Sequence, residues 1–141
     1  RVSIEKKEKY LAVYSKKATR SEKRIIETFV SHIKNMMHGV TNGFIYKLKI
    51  CSGHFPMKVI LEKNYLIISN FLGERIPRKA TILEGVTVSI DGNNINGDGT
   101  DIEKTGQTAA NIEMATRITN KDRRVFMDGI WIFSKPDVQP Q

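Results

Sequence analysis

Residues 21–50 read SEKRIIETFVSHIKNMMHGVTNGFIYKLKI, and within this stretch the hydrophobic pattern changes from a helical period to a strand period. In the first part, apolar residues recur at intervals of three and four, which predicts an amphipathic helix over residues 21–38. Thr19 or Ser21 is suited to cap its start, and Gly39 to end it. Asn42-Gly43 predicts a turn, and the alternation in residues 44–52 predicts a strand.

The rest of the chain predicts short strands, turns and one more helix. Within residues 2–15, the alternation at residues 10–15 predicts a strand, preceded by a charged turn at residues 5–9. Further strands are predicted at residues 57–62, 65–69, 79–83, 86–90 and 130–133, a hairpin with arms 94–96 and 100–104, and a weaker helix at 107–117. The order strand, polar linker, helix occurs twice, at residues 11–38 and 100–117. The predicted fold class is α+β, with two tandem similar units, each an antiparallel sheet carrying one helix on a face, the first incomplete.

The charge of the chain is unevenly distributed. The net charge is +8. Residues 1–50 hold twelve basic and four acidic residues, whereas residues 51–141 hold eleven of each. A cationic field attracts polyanions, and the common polyanions in cells are nucleic acids. A binding protein is therefore favoured over an enzyme.

Composition excludes several other classes. The single cysteine, Cys51, cannot form an internal disulfide, which favours a reducing compartment. No run approaches the roughly 20 apolar residues that span a bilayer, and no targeting pattern follows Arg1, so we expect a soluble, cytoplasmic protein without a membrane partner. Because the first residue is arginine, we also expect the chain to begin inside a longer protein.

No motif predicts catalysis, a metal or a cofactor. The loop at residues 91–101 resembles a calcium loop, and its best register starts at Asn94. The twelfth position of that register is Thr105, where a calcium loop needs a bidentate glutamate. The three histidines do not combine with Cys51 in a metal-ligand spacing. An enzyme would depend on an acid pair such as Asp98 and Asp101, for which no base is apparent.

Four basic clusters are the positive signal. A single basic cluster is ordinarily a set of solvated surface charges. Four clusters together on a basic chain favour contacts with phosphate groups. No helix-turn-helix, zinc finger or basic zipper supports reading of duplex DNA, whereas loops and strand faces suit structured RNA. The predicted RNA-binding residues are Lys16, Lys17, Lys47, Lys49, Arg75, Arg78, Lys79, Arg117, Lys121, Arg123 and Arg124.

Three stretches carry a family resemblance: residues 31–47 running into 54–56, residues 70–74, and residues 120–131. Together they resemble the large-subunit ribosomal protein six family, in its eukaryotic branch, where it is called protein nine. The resemblance implies two similar sheet-and-helix domains, a structural role in the large ribosomal subunit near the sarcin–ricin region where translation factors dock, and no catalysis or cofactor. The implied partners are ribosomal RNA and neighbouring ribosomal proteins, with translation factors nearby.

The resemblance also implies a division of the chain. Residues 1–40 would be the remnant of a first domain that lacks several N-terminal strands, residues 41–135 a second, RNA-binding domain, and residues 136–141 a tail. The second domain would grip RNA through most of the cations named above. Asp122 would brace the last loop, and Asp128-Gly129 would turn the chain into the final strand. The rival interpretation is a non-ribosomal protein–protein adaptor that uses exposed sheet edges.

Overall fold

A computed structural model of the chain describes residues 2–17 and 19–136. These residues form nine strands and two α-helices: β1 (Val2–Lys6), β2 (Leu11–Ser15), α1 (Arg20–Thr41), β3 (Phe44–Cys51), β4 (Lys58–Glu62), β5 (Tyr65–Ser69), β6 (Arg78–Thr81), β7 (Val86–Asp91), β8 (Asn94–Gly99), α2 (Ile102–Ala115) and β9 (Gly129–Ser134). The α+β class is confirmed. Apart from Pro136, the predicted tail lies outside the described residues.

The first helix is longer than its hydrophobic pattern predicts. Thr19 caps α1 in a capping box with Glu22, whose backbone N–H lies 3.3 Å from the Thr19 hydroxyl. The predicted end at Gly39 is wrong, because the helix continues to Thr41 and Asn42 caps it. A Cβ atom on Gly39 would lie 1.9 Å from the carbonyl oxygen of Thr100. This glycine therefore permits close packing and does not end the helix.

The N-terminal residues form a hairpin, because a strand precedes the predicted turn as well as following it. β1 and β2 pair antiparallel, and the backbone N–H of Lys7 donates to the carbonyl of Tyr10 across the turn at 2.9 Å. The predicted turn is present, but it lies at residues 7–10 and begins later than predicted, because Glu5 belongs to β1, where its carboxylate accepts a hydrogen bond from the Tyr14 hydroxyl. Helix α1 packs on this hairpin. We call β1, β2 and α1 the N-terminal unit.

The remaining elements build two sheets around α2. The main sheet has the order β7-β8-β3-β9, and the second sheet has the order β4-β5-β6. The predicted hairpin around Lys63-Asn64 joins β4 to β5. Helix α2 contacts β3, β8 and β9 of the main sheet and β6 of the second. Fully buried side chains fill the space between these elements: Leu48, Leu66, Ile68, Ile95, Ile112 and Ile130.

The predicted hairpin with arms 94–96 and 100–104 is wrong. Residues 94–99 form the single strand β8, which pairs with both β7 and β3, and the next residues enter α2 with Asp101 as the N-cap. Gly99 is buried, and a Cβ atom there would lie 2.4 Å from the Thr105 hydroxyl oxygen. Gly99, one of the glycines that suggested a turn, thus lets the helix pack closely against a strand.

The repeated order has a different form from the predicted one. The predicted second copy began with a strand at residues 100–104, but those residues belong to α2 or precede it. What repeats is an antiparallel hairpin followed by a helix: β1, β2 and α1, then β7, β8 and α2. The predicted domain boundary after residue 40 falls in the last turn of α1. The division into two domains stays a prediction.

Candidate nucleic-acid interface

Three loops meet at one end of the two sheets. They are the β3–β4 loop at residues 52–57, the β5–β6 loop at residues 70–77 and the α2–β9 segment at residues 116–128, which we call the loop end. The Asn70 side-chain amide donates to the carbonyl of Pro56 at 3.0 Å, and Arg78, just after the second loop, donates to the carbonyl of Arg117 at 3.0 Å. The structure therefore brings the predicted clusters at residues 75–79 and 117–124 together.

A buried carboxylate ties the first loop to the third. The Asp128 side chain is 4% exposed and lies 2.9 Å from Nδ1 of His54, and the His54 backbone N–H donates to it at 3.1 Å. Burial raises the pKa of Asp128, but the hydrogen bonds from the His54 ring and from the backbone of His54 and Gly53 outweigh it and leave the pKa below its usual value. The His54 ring also stacks on Phe126, with centroids 4.7 Å apart.

Arg78 holds the second loop against the end of α2. Its guanidinium donates to both carboxylate oxygens of Glu74, at 2.8 and 2.6 Å, and to the carbonyls of Ala115 and Arg117. It also stacks over the Phe71 ring, 4.4 Å from the centroid. The hydrogen bond from Arg78 is the main cause of the lowered pKa of Glu74. Most of the donors of this arginine are already engaged, so its predicted RNA contact stays a prediction and ranks below that of the exposed Arg75.

The third loop carries its cations on a braced turn. The Asp122 carboxylate accepts from the backbone N–H of Arg124 at 2.9 Å and from its guanidinium at 3.0 Å, which lowers the pKa of Asp122. The bracing role expected of Asp122 is confirmed. The Arg124 side chain is still 90% exposed, and Lys121 Nζ lies 4.8 Å from the Phe126 ring centroid. Within residues 2–17 and 19–136, no hydrogen bond or ion pair holds the exposed side chain of Arg123.

The other predicted cations lie on sheets or in the N-terminal unit. Lys47 and Lys49 project from β3 on the face of the main sheet opposite α2, since Leu48 and Ile50 between and beside them are buried. Lys79 is exposed on β6. Lys16 and Lys17 are exposed between β2 and α1, outside the loop end. Their predicted roles in RNA binding stay predictions.

Residue patterns did not reveal which interactions hold these cations in place. The pairs His54–Asp128 and Arg78–Arg117 join residues 74 and 39 positions apart, and no local pattern encodes such pairs. The stretches at residues 54–56 and 120–131, quoted for the family resemblance, were the available signal for His54 and Asp128. Across the described residues, no three His, Cys, Asp or Glu side chains form a group that could hold a metal ion, and no helix is long and apolar enough to cross a membrane.

Comparison with known proteins gives consistent matches. The profile of the family described as Ribosomal protein L6 matches residues 55–129, a range that includes most of the loop end. The large ribosomal subunit protein uL6 of Ignicoccus hospitalis is 50% identical over 135 residues, which are 96% of this chain and 73% of that protein. Those of Methanococcus vannielii and Archaeoglobus fulgidus are 46% and 47% identical, over 95% and 96% of this chain and 74% and 69% of the respective proteins.

Proposed function

The chain belongs to the ribosomal protein L6 family, and on that premise we propose that it is a structural constituent of the large ribosomal subunit that binds ribosomal RNA. The observation that carries the proposal is the near-complete coverage of this chain by relatives named as large-subunit proteins. The family is one of structural proteins, which confirms the expectation that the chain is not an enzyme.

The loop end supports the same function physically. Its cations sit on loops that internal hydrogen bonds already hold, so phosphate binding would immobilise little additional chain. Arg75, Arg117 and Arg123 present exposed charge there, and Arg124 keeps an exposed guanidinium beside Asp122. In this proposal the loop end neutralises phosphates where RNA helices approach, and the sheets and α2 keep the cations in register.

The finer position within the ribosome rests on the resemblance. We infer a site near the sarcin–ricin region, with translation factors nearby, neighbouring ribosomal proteins in contact, and a cytoplasmic location within the subunit. Assignment to the eukaryotic branch stays a prediction, because the relatives reported above are archaeal. The absence of N-terminal strands also stays a prediction.

Sedimentation tests the proposal directly. A tagged copy of the chain should travel with large ribosomal subunits through a sucrose gradient, and it should stay with them at high salt if it is an integral component. A copy that remains at the top of the gradient, with no RNA in the purified material, would support the rival adaptor. Salt dependence separates the two further, because phosphate contacts weaken with salt whereas an apolar sheet-edge contact does not.

A further inference from the structure

The outer face of the main sheet, opposite α2, carries two exposed aromatic side chains. Trp131 is 40% exposed and Phe133 is 57% exposed, and both lie on β9. Ile130 and Ile132, the alternate residues of β9, face the core and are more buried. Because side chains alternate along a strand, Trp131 and Phe133 share the solvent face. The core therefore does not account for either ring.

Both rings adjoin the two lysines of β3. Trp131 is the cross-strand partner of Lys49, and directly opposed side chains lie roughly 5 Å apart at Cβ. The register shifts between Lys47 and Leu48, which leaves Phe133 as an extra residue in β9 beside Lys47. Such a bulge re-aims side chains and is common beside functional sites. The result is two aromatic rings and two cations on neighbouring strands.

The indole is also anchored to the loop end. Its Nε1–H donates to the carbonyl of Met127 at 3.3 Å, which satisfies the polar atom of the ring while its surface stays partly open. Met127 belongs to the α2–β9 segment that carries Arg123 and Arg124. The ring and those arginines are therefore connected through one short segment of the chain.

Charge decides which partner this face suits. Among the residues that the structure describes, the acidic residues of the face are Asp91 on β7 and Asp98 on β8, whereas Lys47, Lys49 and the rings occupy β3 and β9. The half of the face that holds the rings is thus cationic. Aromatic rings interleaved with cations on an open sheet suit unpaired nucleotides, because bases stack on the rings while the cations meet phosphates.

We propose that the β3–β9 half of this face is a stacking platform for unpaired ribosomal RNA nucleotides, with Trp131 and Phe133 stacking on bases and Lys47 and Lys49 contacting the flanking phosphates. The proposal rests on the proposed function and deepens it, since it assigns single-stranded nucleotides to this face and leaves RNA helices to the loop end. Asn94 and Asn96, opposite the lysines on β8, supply amides that can reach base edges.

Trp131 is the only tryptophan of the chain, so its fluorescence reports on the platform directly. The full chain is titrated with a labelled oligouridylate of about twelve nucleotides, long enough for one such surface. Binding is followed by anisotropy, and tryptophan emission is read in the same titration. We expect the single strand to quench Trp131, and a duplex RNA of equal length to bind with little quenching.

Variants test the second ring against a matched control. Phe133→Leu should weaken binding of the oligouridylate about tenfold, the usual effect of one lost stacking contact. Tyr65→Leu removes an aromatic ring that is 47% exposed on the second sheet, and should leave the affinity unchanged. Trp131→Phe should retain most of the affinity and Trp131→Leu should not. Thermal melting of each variant confirms that it is folded.

Failure of the platform is distinguishable from failure of the proposed function. If anisotropy reports binding while Trp131 is not quenched and Phe133→Leu binds normally, the platform is wrong, although the chain still binds RNA. If Trp131 is protected from oxidation in intact subunits but no single-stranded RNA quenches it, the face contacts a protein and the platform is also wrong. If the chain neither binds RNA nor sediments with large subunits, the proposed function itself has failed.

Discussion

The two helices differ in a way that their sequences would not suggest. Helix α1 has the clearer apolar stripe, yet Gly39 is its only buried residue and Ile25, Phe29, Met36 and Met37 are exposed. Helix α2 has the weaker stripe, yet Thr105, Thr108, Ala109 and Ile112 are buried. The difference arises because two sheets enclose α2, whereas a two-stranded hairpin covers part of α1. Periodicity marks the face that prefers burial, but tertiary structure decides whether that face is buried.

The same substitution in the two helices should give the largest difference. Ile112→Ala removes a side chain with 0% exposure from the core, and should lower the free energy of unfolding by about 2–5 kcal/mol. Ile25→Ala removes one that is 43% exposed on α1, and should cost under about 1 kcal/mol. Urea denaturation of both variants measures the difference. Equal losses would mean that α1 is covered in solution, and would remove the contrast between the helices.

Helical glycines offer a second comparison between α1 and α2. Alanine at Gly39 would place its Cβ 1.9 Å from a backbone oxygen, whereas alanine at Gly106 would place it 2.9 Å from the hydroxyl at the outer end of the Tyr46 side chain. We expect Gly39→Ala to destabilise the fold by about 1–3 kcal/mol, because the packing conflict exceeds the gain in helix propensity. Gly106→Ala should be near neutral or slightly stabilising. Thermal melting of both variants measures these changes in stability. A stabilised Gly39→Ala variant would show that α1 does not pack against Thr100.

Paired charge removals compare the two regions as RNA-binding surfaces. Replacing Arg123 and Arg124 with alanine removes two cations from the loop end, and replacing Lys16 and Lys17 removes two from the N-terminal unit. If loops held in place bind phosphate better, replacing the two arginines should weaken binding to large-subunit RNA about tenfold. It should also reduce the slope of log affinity against log salt concentration by about two. The lysine pair should have a smaller effect on both. Unchanged affinity and slope in the arginine variant would exclude Arg123 and Arg124 as phosphate contacts.

The smallest expected effect concerns pH. The pKa of Asp128 in the folded state lies below its ordinary value of 3.8, so the carboxylate stabilises the fold fully above that value. This contribution is lost as the pH falls through the lower folded-state pKa. Asp128→Asn should therefore be less stable than the parent near neutral pH and lose less on acidification below about pH 4. Asp101→Asn, at an exposed helix cap, is the control. If the stability of Asp128→Asn falls with acidification as steeply as that of the parent, the result would argue against the hydrogen bond between His54 and Asp128.

Elements with a simple local cause were predictable. The hairpin around Lys63-Asn64, the strand after Asn42-Gly43 and the Thr19 cap each depend on neighbouring residues, and each is present. The errors at Gly39 and Gly99 have a shared cause: glycine permits a turn and also permits close packing, and sequence alone does not distinguish the two. The bracing role of Asp122 was implied by the family resemblance, and its partner, Arg124, is only two residues away.

By itself, the sequence determined the α+β class, the amphipathic helix, the cationic balance and, through its motifs, the family. Tertiary structure alone decided that Arg78 is engaged by Glu74 and two carbonyls, whereas no described residue engages the exposed side chain of Arg123, and that Trp131 lies beside Lys49. Composition and periodicity are local properties of the chain. Which charges are already engaged, and which faces stay open, depends on contacts between residues that only folding brings together.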